Sequence, residues 1–283
     1  MSYEISSNLS AVIDIKENKI NAITFEDTYQ CNEFIRNLLN YLNAKEDGDD
    51  LFSELIDDDI ETVNVKSFHS IILNCGTLDL ISEKQMKDAM MKRLEQDCLG
   101  KEEIGNIYER IEKEMSLLSS IMKIKDDYYQ IEIDETQLKF KQFLKLFKID
   151  VHNDFSHLSA IQARKACIDL MKEEKKENIL FLLFPEANLG IRDVKSFMDL
   201  IKNYGMTTIM VTNHPYFMVE ADSLAMSKHN MTLFDINQVR DEFRLMFPNE
   251  EIDENIVRQI AINEFSRQYF IKNERYIRFI NEY

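Results

Sequence analysis

Six consecutive apolar residues, Ile179–Phe184, followed at once by Pro185, are the strongest constraint on how this chain folds. An unbroken apolar run of this length suits a strand covered on both faces, as in a parallel sheet. Beyond a short connection, Val194, Phe197, Met198, Ile201 and Tyr204 recur at helical spacing through Asp193–Tyr204. That gives one apolar stripe, with Asp193 favouring the start of the helix and Gly205 its end. Thr207–Thr212 (TTIMVT) then reads as a second β-branched strand. Strand, helix and strand in about forty residues make a right-handed βαβ unit.

This unit resembles the stretch of ABC-type and RecA-like ATPases that runs from the Walker-B strand to the switch-histidine strand. Those proteins place a magnesium-binding Asp and then a water-activating Glu at the end of the first strand. Here Phe184 and Pro185 stand in those places, and Glu186 comes one residue late. Asn213 takes the switch-histidine position, with His214 displaced by one. Leu158–Gln162 echoes the transporter signature loop without its glycines, and the chain has no G-x-x-x-x-G-K-[ST]. With six Gly in 283 residues, no loop offers a row of close backbone N–H groups to a phosphate. The expectation is an ATPase-like scaffold without its reaction. The alternative is a divergent NTPase of the ABC or SMC-head type with an unconventional phosphate site.

The length fits one large or two modest domains. Three Pro, six Gly and 30% charged residues point to a helix-rich chain with few loops. A net charge of −17 opposes nonspecific nucleic-acid binding over the whole surface but leaves room for a local basic groove. No apolar run approaches the length of a membrane span, and no secretory signal is visible, so a cytoplasmic location is expected. Cys31, Cys75, Cys98 and Cys167 are scattered, which suits reduced, partly buried thiols. The five histidines form no ligand-like cluster, and no nucleophile elbow or Cys/His dyad is discernible.

The fold class expected is α/β: a degenerate ABC/RecA-like head, an inserted helical arm and a C-terminal helical extension. The head takes residues 1–81 and 173–235, the arm 82–172 and the extension 236–283. Ala11–Ile15 and Ile20–Phe25 read as strands joined by a polar hairpin turn at Lys16–Lys19, followed by a helix over Thr28–Asn43 and an acidic loop over Glu46–Glu61. Thr62–Val65 and Ser70–Asn74 read as further strands. Ser82–Gln85 resembles a capping box opening a helical tract to about Lys125, which Gly100 and Gly105 interrupt. Further helices are expected over Thr136–Phe147 and Leu158–Lys172. Met218–Tyr283 reads as mostly helical, ending in a helix over Asp253–Asn281.

Three segments in order carry a second resemblance. They are Ile23–Asp27 leading into a helix that ends Leu39–Leu42, the acidic Tyr129–Glu135 before the Leu138–Phe147 helix, and Leu180–Phe217. Across roughly residues 8–217 the chain is similar to the CRISPR-associated adaptation proteins of type II-A systems (Csn family), here a longer subtype. That resemblance implies a homotetrameric ring, non-catalytic, which binds calcium and holds the ends of linear double-stranded DNA during spacer acquisition. It also implies partners among the other adaptation proteins, the integrase complex and the effector nuclease. Calcium needs several hard oxygens together. In an extended segment Glu132 and Asp134 share one side, and Glu135, Asp126 and Asp127 are close in sequence. Taken alone, the same segment reads as a solvated acidic loop. For DNA, Lys84, Lys87, Lys92 and Arg93 begin the arm, and Arg164, Lys165, Lys172, Lys175 and Lys176 precede the buried strand. Identical patches converging on a bore would meet phosphates without reading bases. The bland reading of those residues is a solvated surface.

Overall fold

The computed structural model describes residues 3–45, 51–77, 80–122, 124–125, 128, 130–131, 139–147, 157–249, 251 and 253–267. It divides into two compact units, Met1–Ile81 with Leu158–Tyr283, and Ser82–His157. The first unit opens with β1 (Tyr3–Ser7), β2 (Ile13–Ile15), β3 (Ile20–Phe25), α1 (Thr28–Leu42), β4 (Ser53–Ile56) and β5 (His69–Asn74). The inserted unit holds α2 (Glu83–Leu99), α3 (Glu102–Ile121), β6 (Ile124–Lys125), β7 (Gln130–Ile131) and α4 (Phe140–Leu144). The first unit resumes with α5 (Ala160–Met171), β8 (Asn178–Leu183), α6 (Ile191–Tyr204), β9 (Thr207–Val211), α7 (Pro215–Glu220), β10 (Ser223–Ser227), α8 (Ile236–Met246) and α9 (Glu254–Ser266).

The βαβ unit stands as its residues demand. Strands β8 and β9 pair in parallel, Ile179 opposite Thr207 through Leu183 opposite Val211. Ile179–Leu183 are almost fully buried. Gly190 caps α6 with its N–H on Asp193, and Gly205 ends it at φ 61°, a conformation that costs a glycine little. All five strands of this sheet run parallel, in the order β10-β3-β9-β8-β5. β3, the first of these strands in the chain, thus lies inside the sheet, between β10 and β9. The chain crosses to one side through β5, β8 and β9 and to the other through β10. That arrangement leaves a crevice at the carboxyl ends of β3 and β9, the usual ligand position in such sheets.

Several elements differ from the expectation. Lys16–Lys19 is not a hairpin turn: β2 pairs antiparallel with β1 in a separate three-stranded sheet, β2-β1-β4, while β3 enters the parallel sheet. The alternation in Ile13–Ile15 predicts a half-buried strand without naming its partner. β4 falls inside the segment read as an acidic loop, because Ser53, Leu55 and Ile56 face inward between the acids. Thr62 makes an isolated bridge to Ile56, and Thr62–Val65 forms no strand. The tail contributes β10 to the head sheet before it becomes helical, and Met218, Met226, Val239, Phe243, Val257 and Ile260 share one apolar cluster. Helix α5 packs on β5 within the first unit, burying Cys167 and Ile168, whereas the expected arm boundary ran to 172.

In the inserted unit Ser82 caps α2 by accepting the Gln85 N–H, and Gly100 separates α2 from α3 while Gly105 lies inside α3. Tyr108 meets Phe140 and Phe143 at ring separations of 4.9 and 5.6 Å. No residue of α3 is buried, and Ile107, Met115, Leu118 and Ile121 are exposed. Among the described residues no helix is long and apolar enough to cross a membrane.

Candidate functional site

At the carboxyl end of the central strands the local chemistry is set by how little chain joins β3 to α1. Only Glu26 and Asp27 stand between Phe25 and Thr28. A phosphate-cradling loop needs a run of backbone N–H groups folded around an anion. Here the first turn of α1 is already answered from inside, since the Asp27 carboxylate accepts the Gln30 N–H at 3.0 Å. That bond, then the nearby backbone and His229, holds the Asp27 carboxyl below its usual range. Glu26 accepts the His229 N–H at 3.0 Å and a guanidinium N–H of Arg267 at 2.9 Å. Two carboxylates therefore fill the turn between β3 and α1.

The neighbouring strand ends are equally committed. Thr24 donates to Asn213 Oδ1 at 2.8 Å, and Thr212 donates to Glu186 at 2.7 Å. Glu186 is thus tied to the end of β9. Phe184 adopts φ 52° and Asn188 φ 60°. A positive φ is costly for a bulky aromatic residue and persists only where its surroundings hold it. Arg164 is the restraint: 1% exposed on α5, it donates to Pro185 O at 2.7 Å and to Ala187 O, with its guanidinium 5.0 Å from the Phe197 ring centre. The Phe184 ring lies over Gly76, where an added Cβ would meet it at 3.2 Å. An aromatic ring and a clamped loop thus close the carboxyl end of β8.

Between β3, β9, α7 and the end of α9 lies a pocket of about 360 Å³, lined by Thr24, Phe25, Glu26, Asn213, Met218 and residues 265–267. It sits at the carboxyl-end crevice, and its guanidinium, from Arg267, is paired with its carboxylate, Glu26. The sequence signalled Glu26 and Asp27 as a strand-to-helix motif. His229 and Arg267 join them across 203 and 241 residues, a separation that no spacing argument reaches.

The expected DNA contacts fare unevenly. Lys84, Lys87, Lys92 and Arg93 are all exposed on α2. At about 100° per residue Lys84 and Lys87 share a face, but Arg93, nine positions on, faces the opposite side from Lys84. Arg93 also lies 3.5 Å from Asp97. Lys165 is exposed and bonded to Asp169 at 2.5 Å. Arg164 is corrected outright: it is buried, holds two carbonyls and cannot reach a phosphate. Burial also lowers the pKa of its guanidinium below the ordinary value. The carboxylates proposed for calcium, Asp127, Glu132, Asp134 and Glu135, lie outside the described residues. Among the described residues no group of three His, Cys, Asp or Glu is placed to hold a metal ion.

No protein-family model and no curated protein matches the chain. Among solved structures it is similar to Stu0660 of Streptococcus thermophilus, at 11% identity and a TM-score of 0.56, over 100% of this chain and 99% of that one. A second similarity, to MJ0796, a bacterial ABC transporter cassette solved as a dimer, has 12% identity and a TM-score of 0.38, over 83% of this chain and 97% of that one. At such identities the first likeness concerns fold alone, and the second is too weak to carry an argument. The chain is a mixed α/β protein built on a parallel sheet, with a helical unit inserted between β5 and α5.

Proposed function

We propose that this protein is a non-catalytic homotetrameric ring that binds the ends of linear double-stranded DNA, without reading sequence, in CRISPR spacer acquisition. The observation that carries the reading is the acid-closed turn between β3 and α1. The strand order needed for a nucleotide hydrolase is present, yet Glu26 and Asp27 stand where phosphates would bind. The full-length likeness to Stu0660 supports a shared architecture. The resemblance of Ile23–Asp27, Tyr129–Glu135 and Leu180–Phe217 to type II-A adaptation proteins supplies the function. The exposed apolar residues of α3, Ile107, Met115, Leu118 and Ile121, recur at helical spacing and support assembly, because an apolar stripe left in water commonly marks an interface. Calcium belongs to the same reading, with Asp127, Glu132, Asp134 and Glu135 as its proposed ligands, as do the integrase complex and effector nuclease as partners.

The test is a gel shift comparing linear duplex with covalently closed circles of equal length, with and without a calcium chelator. Preference for linear duplex that the chelator abolishes supports the proposal. Equal binding to closed circles defeats end recognition, and stoichiometric ATP turnover moves the case to a divergent NTPase.

A further inference from the structure

We propose that the surface at the carboxyl end of α4 meets the open end of a DNA duplex, with Phe147 stacking on the terminal base pair and Lys139, Lys141 and Lys145 contacting its phosphates. This inference rests on the DNA-binding reading above and names the residues that would tell an end from the middle of a duplex.

Two residue types build the segment. From Thr136 to Ile149 the chain holds four lysines, three phenylalanines and no Asp or Glu, although the whole carries a charge of −17. The fourth lysine, Lys148, lies outside the described residues. Phe140 and Leu144 are the buried side chains of α4. Tyr108 of α3 begins a row of rings that passes through Phe140 and Phe143, and Phe147 ends it, 5.1 Å from Phe143 and edge to face. After α4 the chain tightens. Lys145 N–H donates to Gln142 O, Leu146 N–H to Phe143 O and Phe147 N–H to Leu144 O, each three residues back. That turn holds the last ring of the row in water, with Phe147 55% and Leu146 73% exposed. A ring braced by its neighbour and open to solvent is a stacking platform, and stacking is indifferent to which base it meets. A duplex exposes base faces only where it ends.

The charge beside this ring is not cancelled. Lys139, Lys141 and Lys145 are exposed and make no ion pair among the described residues. α4 packs on α2 and, through Tyr108, on α3. On α3, Glu112 is the carboxylate that shares a face with Tyr108, and it accepts the Tyr108 hydroxyl at 3.0 Å, at the far end of the row from Phe147. On α2, Glu83, Asp88, Glu95 and Asp97 are offset by Lys84, Lys87, Lys92 and Arg93. Three lysines therefore stand against one carboxylate. Unmatched cations next to an exposed aromatic ring suit a nucleic acid. A second copy of the same surface would bring like charges together. A membrane is held in proportion to the apolar area it covers, and Leu146 and Phe147 offer little.

The test uses the full chain and a blunt linear duplex with 2-aminopurine in its terminal pair, beside the same duplex closed at both ends by hairpin loops. Phe147→Leu keeps an apolar side chain against Phe143 and removes the stacking face. It should weaken binding of the open duplex on the order of tenfold and lose the change in 2-aminopurine emission that the parent gives. The closed duplex should not distinguish this variant from the parent. Lys139→Gln, Lys141→Gln and Lys145→Gln together should lower the log–log salt slope by roughly 2 to 3 for each copy that touches the duplex. Urea unfolding confirms that both variants fold like the parent. Parent-like affinity and emission in Phe147→Leu, or an unchanged slope in the lysine variant, overturns this surface and leaves the DNA-binding reading standing. A parent that binds no duplex overturns both. Loss of self-association in Phe147→Leu, read by sedimentation with DNA affinity unchanged, gives the surface to a second copy and also overturns the assignment.

Discussion

Arg164→Met separates a structural role from a DNA-contacting one. The side chain is about the same length and apolar, so it fills much of the space. It leaves Pro185 O and Ala187 O without their charged donor and removes the contact with Phe197. A hydrogen bond to a charged group contributes about 1.5–3 kcal/mol, and a cation over an aromatic ring about 0.5–2 kcal/mol. Against this stands relief of the buried guanidinium's desolvation, which depresses its pKa and costs a sizeable fraction of that gain. The expected net loss is about 2–4 kcal/mol. With a urea m-value of ~3 kcal/mol per molar, the midpoint falls by roughly 1 M. Arg164→Lys loses nearly as much, since one ammonium on a flexible stem does not reproduce a planar fork spanning two carbonyls. A variant within ~0.5 kcal/mol of the parent that loses DNA binding would refute this reasoning and restore Arg164 as a phosphate contact.

Other consequences are equally open to measurement. Gly76→Val drives a branched side chain into the Phe184 ring, whereas Gly76→Ala asks only a few tenths of an ångström of it, so calorimetry should show a clear Tm loss for Val and a small one for Ala. Ser159→Ala removes the hydroxyl that accepts the Gln162 N–H while residue 159 keeps the N–H that donates to the Gln162 side chain, and chemical denaturation should show a loss of ~1 kcal/mol. Burial pushes the Cys31 thiol up to about 12 and those of Cys75 and Cys167 to about 11, so thiol titration of the native protein at neutral pH should modify Cys98 first and the other three only on unfolding. Because these groups ionise later in the folded state than the unfolded value of 9.0, the native protein holds more protons above that pH. Stability should therefore fall as pH rises past about 9, and a flat profile between pH 9 and 11 would contradict that burial.

What the sequence made legible follows from how locally each element is specified. The unit from Asn178 to Val211 is written in unbroken apolar residues, a helical stripe and a terminal Gly, and it folds as those residues require. The cap at Ser82 and the break at Gly100 are local as well. Strand partners are not local. Ile13–Ile15 and Ile20–Phe25 are adjacent in the chain, yet each pairs in a different sheet. β4 was hidden because its inward residues alternate with acids. Arg164 misled for a related reason: a cation next to a lysine reads as solvated surface, and only the fold of α5 against the β8–α6 connection shows two carbonyls waiting for it.

The proposed ring, which reaches linear duplex only through its ends, is tested most directly by topology. A linear duplex is offered either with free ends or with both ends blocked by a bulky protein, and a second sample is blocked after loading. The account predicts that blocking before loading abolishes binding, and that complexes blocked after loading survive a high-salt challenge that strips open duplex, with no ATP present. Equal binding to pre-blocked duplex, or equal loss from all three in salt, would contradict it.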